Sequence, residues 1–163
     1  MATATNPYTS RILGLLGDKP FFAVLESTPA KLQQHFDRLG PQGLKKSYGH
    51  GKWTAGQIFC HLADAEMAIA FRTRQAVFES NHRIQPWDQD SWARNYLRQD
   101  AAAAVKACIA ARGWNLSFWR TLGPEDLARV AFHPERGDES VETIIKLLAG
   151  HDINHLAQLE QIR

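Results

Sequence analysis

Apolar residues recur at helical spacing along almost the whole chain, and the runs are separated by stretches rich in Gly and Pro. The first run starts near Tyr8 and is interrupted by Gly17 and Pro20. It resumes through Phe21, Phe22, Leu25, Leu32, Phe36 and Leu39, with Pro29 accommodated only in a fresh first turn, where its missing N–H costs nothing. Four glycines and one proline between Gly40 and Gly51 predict a loop. Thr54 followed by Gln57 is a capping box that opens a second helix, whose apolar pattern runs to about Phe78. From Glu79 to Gln99 the periodicity lapses around Asn81, Pro86, Trp87 and Trp92, which predicts a long crossover with a short helix near Asp90 to Tyr96. Asp100 caps a third helix carrying Val105, Ile109, Leu116 and Trp119, which ends near Leu122 ahead of Gly123 and Pro124. After a loop containing Pro134 and Gly137, a fourth helix runs from about Ser140 to the C-terminus, and no segment shows the alternation of a strand.

Four long helices without strands predict an all-α fold, a four-helix bundle in a single domain over residues 1–163. The connections select its topology. A crossover of about 20 residues can return along a helix roughly 36 Å long, whereas an antiparallel turn needs only a few residues. The expected order is therefore up-down-down-up, with the long crossover between helices two and three.

Composition changes this picture little. The chain has 163 residues, 44% of them apolar and 22% charged, enough to bury a core without disulfides or metal. Its net charge of +2 argues against nucleic acid as a partner, and the basic cluster Lys45, Lys46, His50 and Lys52 lacks interleaved aromatics. Two cysteines, Cys60 and Cys108, are too few for a disulfide framework, and no uncharged stretch approaches the length of a membrane span. The N-terminal residues lack the basic and apolar regions of a signal peptide, so a cytoplasmic protein with no membrane partner is expected.

The candidate chemistry lies on the fourth helix, where His151 and His155 are four residues apart and share one face. They fall on a stripe with Ile144, Leu147, Leu148, Gln158 and Ile162, while Glu142 and Glu160 lie opposite, so the histidines face inward. His61 lies on the inward stripe of the second helix with Ile58, Ala65, Ala68 and Arg72. It stands about 10 Å into its helix, and His155 stands at a similar depth from the end of its own, so antiparallel packing puts them in one layer. Three imidazoles from two facing helices leave coordination positions open for chemistry, and they suit zinc, nickel or iron as the divalent ion. The competing reading is three buried histidines hydrogen-bonded to backbone and to one another.

Arg72, on the histidine stripe, and Arg112, midway along the third helix, are candidate substrate-binding residues, since a buried guanidinium needs an anion. Internal salt bridges are the competing account of both. Asp152 and Asp64 are either carboxylates that orient a histidine or solvated side chains. Cys60 and Cys108 read as packed thiols, and the five tryptophans as core and crossover packing. His35, His50, His82 and His133 read as ordinary surface or loop residues. A second apolar face on the fourth helix, formed by Ile145, Ala149, Ile153 and Leu156, needs covering, and a homodimer would cover it.

Two runs, Trp53-Thr54 through His61-Leu62-Ala63-Asp64-Ala65-Glu66 and His151-Asp152-Ile153-Asn154-His155-Leu156-Ala157-Gln158, resemble the signature helices of the DinB-like (DinB/YfiT) superfamily. The resemblance extends to Arg72, Pro86-Trp87, Arg112 and the stretch from His133-Pro134 to Gly137. It implies an up-down-down-up bundle, a homodimer, and a divalent metal held by His61, His151 and His155. It also implies thiol S-transferase or isomerase relatives that use low-molecular-weight thiols.

Function is thus expected to be metal-dependent, on a small-molecule substrate. The leading expectation is transfer of a low-molecular-weight thiol cosubstrate to an electrophile through a metal-activated thiolate. The alternatives are a hydrolase using metal-activated hydroxide and a non-catalytic metal or ligand-binding stress-response dimer. Asp152 stands where a zincin-type motif would carry Glu, which disfavours the protease form of hydrolysis. No catalytic residue is assigned on sequence.

Overall fold

The structure is a computed structural model that describes residues 6–163. Seven helices and one hairpin follow in the order α1 (Pro7–Leu16), α2 (Phe21–Gly43), α3 (Ala55–Phe78), α4 (Gln89–Ala93), α5 (Ala101–Trp119), α6 (Pro124–Ala128), β1 (Val130–His133), β2 (Gly137–Ser140) and α7 (Val141–Glu160). The long helices α2, α3, α5 and α7 form the four-helix core, in which α2 and α3 each pack against both α5 and α7.

Side-chain pairs give the register. Along α3 and α5 residue numbers rise together: Arg112 meets Glu66, and the Trp119 indole donates to the Thr73 hydroxyl at 3.0 Å. They also rise together along α2 and α7, where Thr28 donates to Asp152 and Arg38 to the carbonyls of Leu159 and Ile162. Between α3 and α7 they run in opposite senses, since His61 meets His151 while Ala76 and Val77 share a cluster with Val141 and Ile145.

The capping box at the head of α3 has both of its bonds, Thr54 N–H to Gln57 Oε1 at 2.9 Å and Gln57 N–H to Thr54 Oγ1 at 3.3 Å. Pro29 departs from expectation. It does not begin a new helix but lies inside α2 with helical geometry, and α2 bends only at Gly40, where φ is 56°. A proline removes the N–H that would reach the carbonyl four residues earlier. Here that carbonyl belongs to Leu25, and it accepts from Arg112 Nη1 at 3.0 Å instead.

The expectation of no strands is corrected by the hairpin, paired from Val130↔Ser140 to His133↔Gly137. Ala131 and His133 point inward and Val130 and Phe132 outward, but the partner strand Gly137–Ser140 is polar, so no apolar alternation marks it. The crossover docks on this hairpin through Ile84 N–H to the Phe132 carbonyl and Phe132 N–H to the His82 carbonyl. That crossover holds α4 and a single 3-10 turn at Tyr96–Arg98.

The second face of α7 is largely covered within the chain: Ile145 and Ala149 are wholly buried, Ile153 and Leu156 are half-buried against the core, and α1 and α2 both pack on α7. The α1 backbone lies directly against α7 at Gly150, where a Cβ would collide with the Ile12 carbonyl. No helix among the described residues is long and apolar enough to cross a membrane.

Candidate metal centre

His61 lies in the second turn of α3, and His151 and His155 lie one turn apart on α7, where the opposite run of the two helices brings them into one layer. The Nε2 atoms of His61 and His151 are 2.8 Å apart, and one potential ligand atom from each ring lies within 4.8 Å of the others. His155 is oriented from below by Gln158, whose Oε1 is 2.7 Å from Nδ1. An amide oxygen only accepts, so Nδ1 carries the proton and Nε2 keeps its lone pair. Trp53 packs 4.8 Å from His61 and stacks on His155, and Trp87 lies 5.7 Å from His61.

Burial holds these imidazoles neutral. Desolvation, reinforced by His155, pushes His61 down to about 3, and desolvation pushes His155 down to about 4 even though Gln158 and Asp152 act the other way. His151 is held well below the usual histidine value, first by desolvation and then by its two histidine neighbours. Neutral rings with free lone pairs are what a divalent ion requires. The fit is geometric as well: ligand nitrogens around a tetrahedral ion lie about 3.3 Å apart for bonds of 2.0–2.1 Å, so the 2.8 Å pair needs to open by about half an ångström. The Nδ1 atoms of His61 and His151 are buried without protein partners, so neither ring is locked by a competing bond there.

Two cavities meet at these histidines. One, of about 260 Å³, runs along α3 and is lined by His61, Ala65, Ala68, Arg72, Trp87, His133 and His151 among others. The other, of about 320 Å³, opens on the far side past Arg11, Tyr48, Trp53, His151 and His155. Tyr8, Gln89 and His151 line both, so the histidine centre can be reached from two directions.

Arg72 therefore stands in the same cavity as His61 and His151. Arg112 does not. It is 1% exposed, donates through Nε and Nη2 to Glu66 and through Nη1 to Asp152 and the Leu25 carbonyl, and lines neither cavity. Its expected substrate contact is replaced by an internal network, completed by Asn115 donating to Glu66 and Thr28 donating to Asp152. Asp152 is thus turned away from the histidines, and Asp64 accepts from the Tyr96 hydroxyl at 2.8 Å. Neither aspartate orients a histidine through a hydrogen bond; Gln158 does so, on the same stripe as His151 and His155. Burial raises Cys60 to about 11 and Cys108 to about 12, as packed thiols require.

His133, read from sequence as an ordinary loop residue, is 2% exposed and belongs to the cavity wall. The hairpin that carries it left no periodic signal. Trp53 and Trp87 are also more than packing, since they wall the histidine rings.

The family profile described as the DinB superfamily matches residues 25–159, a span that includes all three histidines. The chain belongs to the DinB superfamily. Among relatives of this DinB protein, one from Oceanobacillus iheyensis named as a candidate metal-dependent hydrolase is 33% identical over 141 residues, covering 85% of this chain and 81% of the relative. A similarly named protein from Bacillus mycoides is 29% identical over 142 residues, with the same coverage of 85% and 81%. In fold the chain is similar to YfiT from Bacillus subtilis, described as a probable metal-dependent hydrolase with an unusual four-helix bundle topology. Their TM-score is 0.81 at 23% identity, covering 98% of this chain and 88% of YfiT. It is also similar to a mycothiol-dependent maleylpyruvate isomerase, with a TM-score of 0.67 at 11% identity over 96% of this chain and 63% of that one.

Proposed function

We propose that this DinB protein is a metal-dependent hydrolase of small molecules, built on an up-down-down-up bundle and using His61, His151 and His155 as ligands of zinc, nickel or iron. The observation that carries the reading is the convergence of three neutral imidazoles where two cavities meet. A divalent ion with three protein ligands keeps positions open, lowers the pKa of water toward neutrality and polarises a carbonyl or phosphoryl oxygen. The chain supplies the rest: Gln158 sets the His155 tautomer, Trp53 and Trp87 shield the rings from bulk water, and the cavities hold substrate on either side. Asp152 is engaged by Arg112 and Thr28 and takes no part in proton transfer at the histidines.

Hydrolysis stands ahead of thiol transfer, which sequence alone placed first. The relatives at 33% and 29% identity carry hydrolase names, whereas the thiol-dependent isomerase is similar in fold alone at 11% identity. We also propose a homodimer, through a different surface from the one expected: Met67, Phe71, Phe78 and Trp114 expose an apolar face on α3 and α5. The two buried, unpaired thiols accord with a reducing cytoplasmic setting.

The test is metal analysis of the purified protein, followed by assays on ester, amide and phosphoester substrates with and without chelator. Assays with electrophiles and added thiols run in parallel. The expected result is bound metal, chelator-sensitive hydrolysis, and loss of both in His151→Ala and His155→Ala. Turnover that appears only with a thiol would transfer the assignment to S-transfer. Metal-free protein whose stability is unchanged in His151→Ala would remove the centre altogether.

A further inference from the structure

The cavity of about 260 Å³ beside His61 and His151 has an unusual charge inventory. Two guanidinium groups line it. Arg136 is already neutralised, with its Nε and Nη2 donating to the two oxygens of Glu139, which is itself buried. Arg72 has no carboxylate within 4.0 Å among the described residues, and its one recorded bond is from Nη2 to the Gln85 carbonyl at 3.0 Å. A partly buried cation with a carbonyl as its only partner lacks a counter-charge. Burial, with Arg136 next, accordingly holds Arg72 below its ordinary value.

A second donor stands nearby. Glu135 N–H donates to His133 Nδ1 at 3.2 Å, and burial holds this ring below the usual histidine value, so its proton sits on Nε2. The remaining wall is mixed: Ala65, Ala68 and Leu148 are apolar, while Tyr8, Gln89 and Glu135 add polar groups.

We propose that this chamber binds a carboxylate carried by the substrate, with Arg72 as its counter-charge and His133 Nε2–H as a second donor. The inference rests on the hydrolase reading for the reaction itself, but not for the binding site. Arg72 is the one guanidinium of the chamber without a paired carboxylate, and Glu135 also lines the wall, so a single negative charge is the most the site accommodates. A phosphate dianion would leave excess negative charge beside Glu135 and Glu139. The spacing restricts the substrate further. Arg72 is eleven residues beyond His61 on α3, about 16 Å along the axis, with its guanidinium held at the Gln85 carbonyl. The carboxylate is therefore separated from the scissile group by several bonds rather than lying α to it. A cavity of about 150 Å³ holds benzene, so this chamber takes a body of roughly ten non-hydrogen atoms.

The experiment compares the mono-p-nitrophenyl esters of glutaric, adipic and suberic acids with neutral p-nitrophenyl hexanoate on the metal-loaded protein, wild type and Arg72→Gln. In parallel, calorimetry measures binding of phenylbutyrate, phenylbutanol and phenyl phosphate. The expected result is a preference for a carboxylated ester through KM, roughly tenfold to a hundredfold, that Arg72→Gln abolishes and Arg72→Lys partly restores. Phenylbutyrate is expected to outbind phenylbutanol by a margin that shrinks with added salt. Should Arg72→Gln fail to fold, the salt dependence and the phenylbutyrate-to-phenylbutanol ratio of the wild type decide alone.

Cleavage of the neutral ester with no carboxylate preference would overturn the carboxylate site and leave the hydrolase reading standing. No cleavage of any ester, with phenylbutyrate still bound through Arg72, would do the reverse. Tighter binding of phenyl phosphate than of phenylbutyrate would also overturn the proposal.

Discussion

Arg112 is the side chain on which most of the interior depends. It carries one positive charge between two buried carboxylates and also serves a carbonyl that Pro29 leaves without its helical donor. Removing it uncovers Glu66 and Asp152 together, and breaking a buried pair this way costs about 3–5 kcal/mol. Arg112→Ala is therefore expected to lower the unfolding free energy from denaturant titration by that amount, whereas an exposed pair such as Arg120 with Glu26 should cost less than about 1 kcal/mol. The histidines impose a pH dependence of known sign on the metal-free protein. Their folded values lie below the ordinary 6.5, at about 3 for His61 and about 4 for His155, so the unfolded chain binds protons first as pH falls. Stability is expected to be complete above pH 6.5 and to decline from there toward pH 4, with a shallower decline in His61→Gln; thermal melts after chelation measure it. Chemistry at the residue level was partly legible in the sequence, because two histidines at helical spacing declare their shared face. Arg112 was not, since its partners come from three other helices and nothing local distinguishes it from a solvated arginine.

At the level of elements, caps and periodicity located α3, α5 and α7 to within a residue or two of their observed starts. Pro29 misled for a physical reason: a proline ends a helix unless something else satisfies the stranded carbonyl, and that compensation arrives from 87 residues away. The hairpin escaped notice because one of its strands is Gly-Asp-Glu-Ser, and with it His133 escaped too. The docking of α1 has its own test. Gly150 lies where the α1 backbone crosses α7, and a methyl group there meets the Ile12 carbonyl, which cannot move without the whole helix. Gly150→Ala is expected to cost about 1–3 kcal/mol, as overpacking does. Because Tyr8, Arg11 and Ile12 of α1 line the cavities, hydrogen exchange in Pro7–Leu16 should rise in that variant well before global unfolding.

For the molecule as a whole, the bundle and its histidine layer follow from helix lengths and connection lengths, which is why the fold was accessible without coordinates. What covers the second face of α7 was not, because an apolar stripe reads the same whether α1 or a second subunit lies on it. Light scattering after size exclusion is expected to give twice the 18.4 kDa chain mass, and Phe71→Glu together with Phe78→Glu to return the monomer with unchanged metal content. The two cavities that meet at His151 have a further consequence, for ligand design. A compact chelating headgroup can be extended in either of two directions from one anchor, toward Arg72 or toward Arg11. Fragments optimised separately for each arm are joined through a fixed centre, so the joined molecule loses its rigid-body freedom only once and its arms reinforce one another. Selectivity would then be set by the arms, while the histidine centre supplies the anchor.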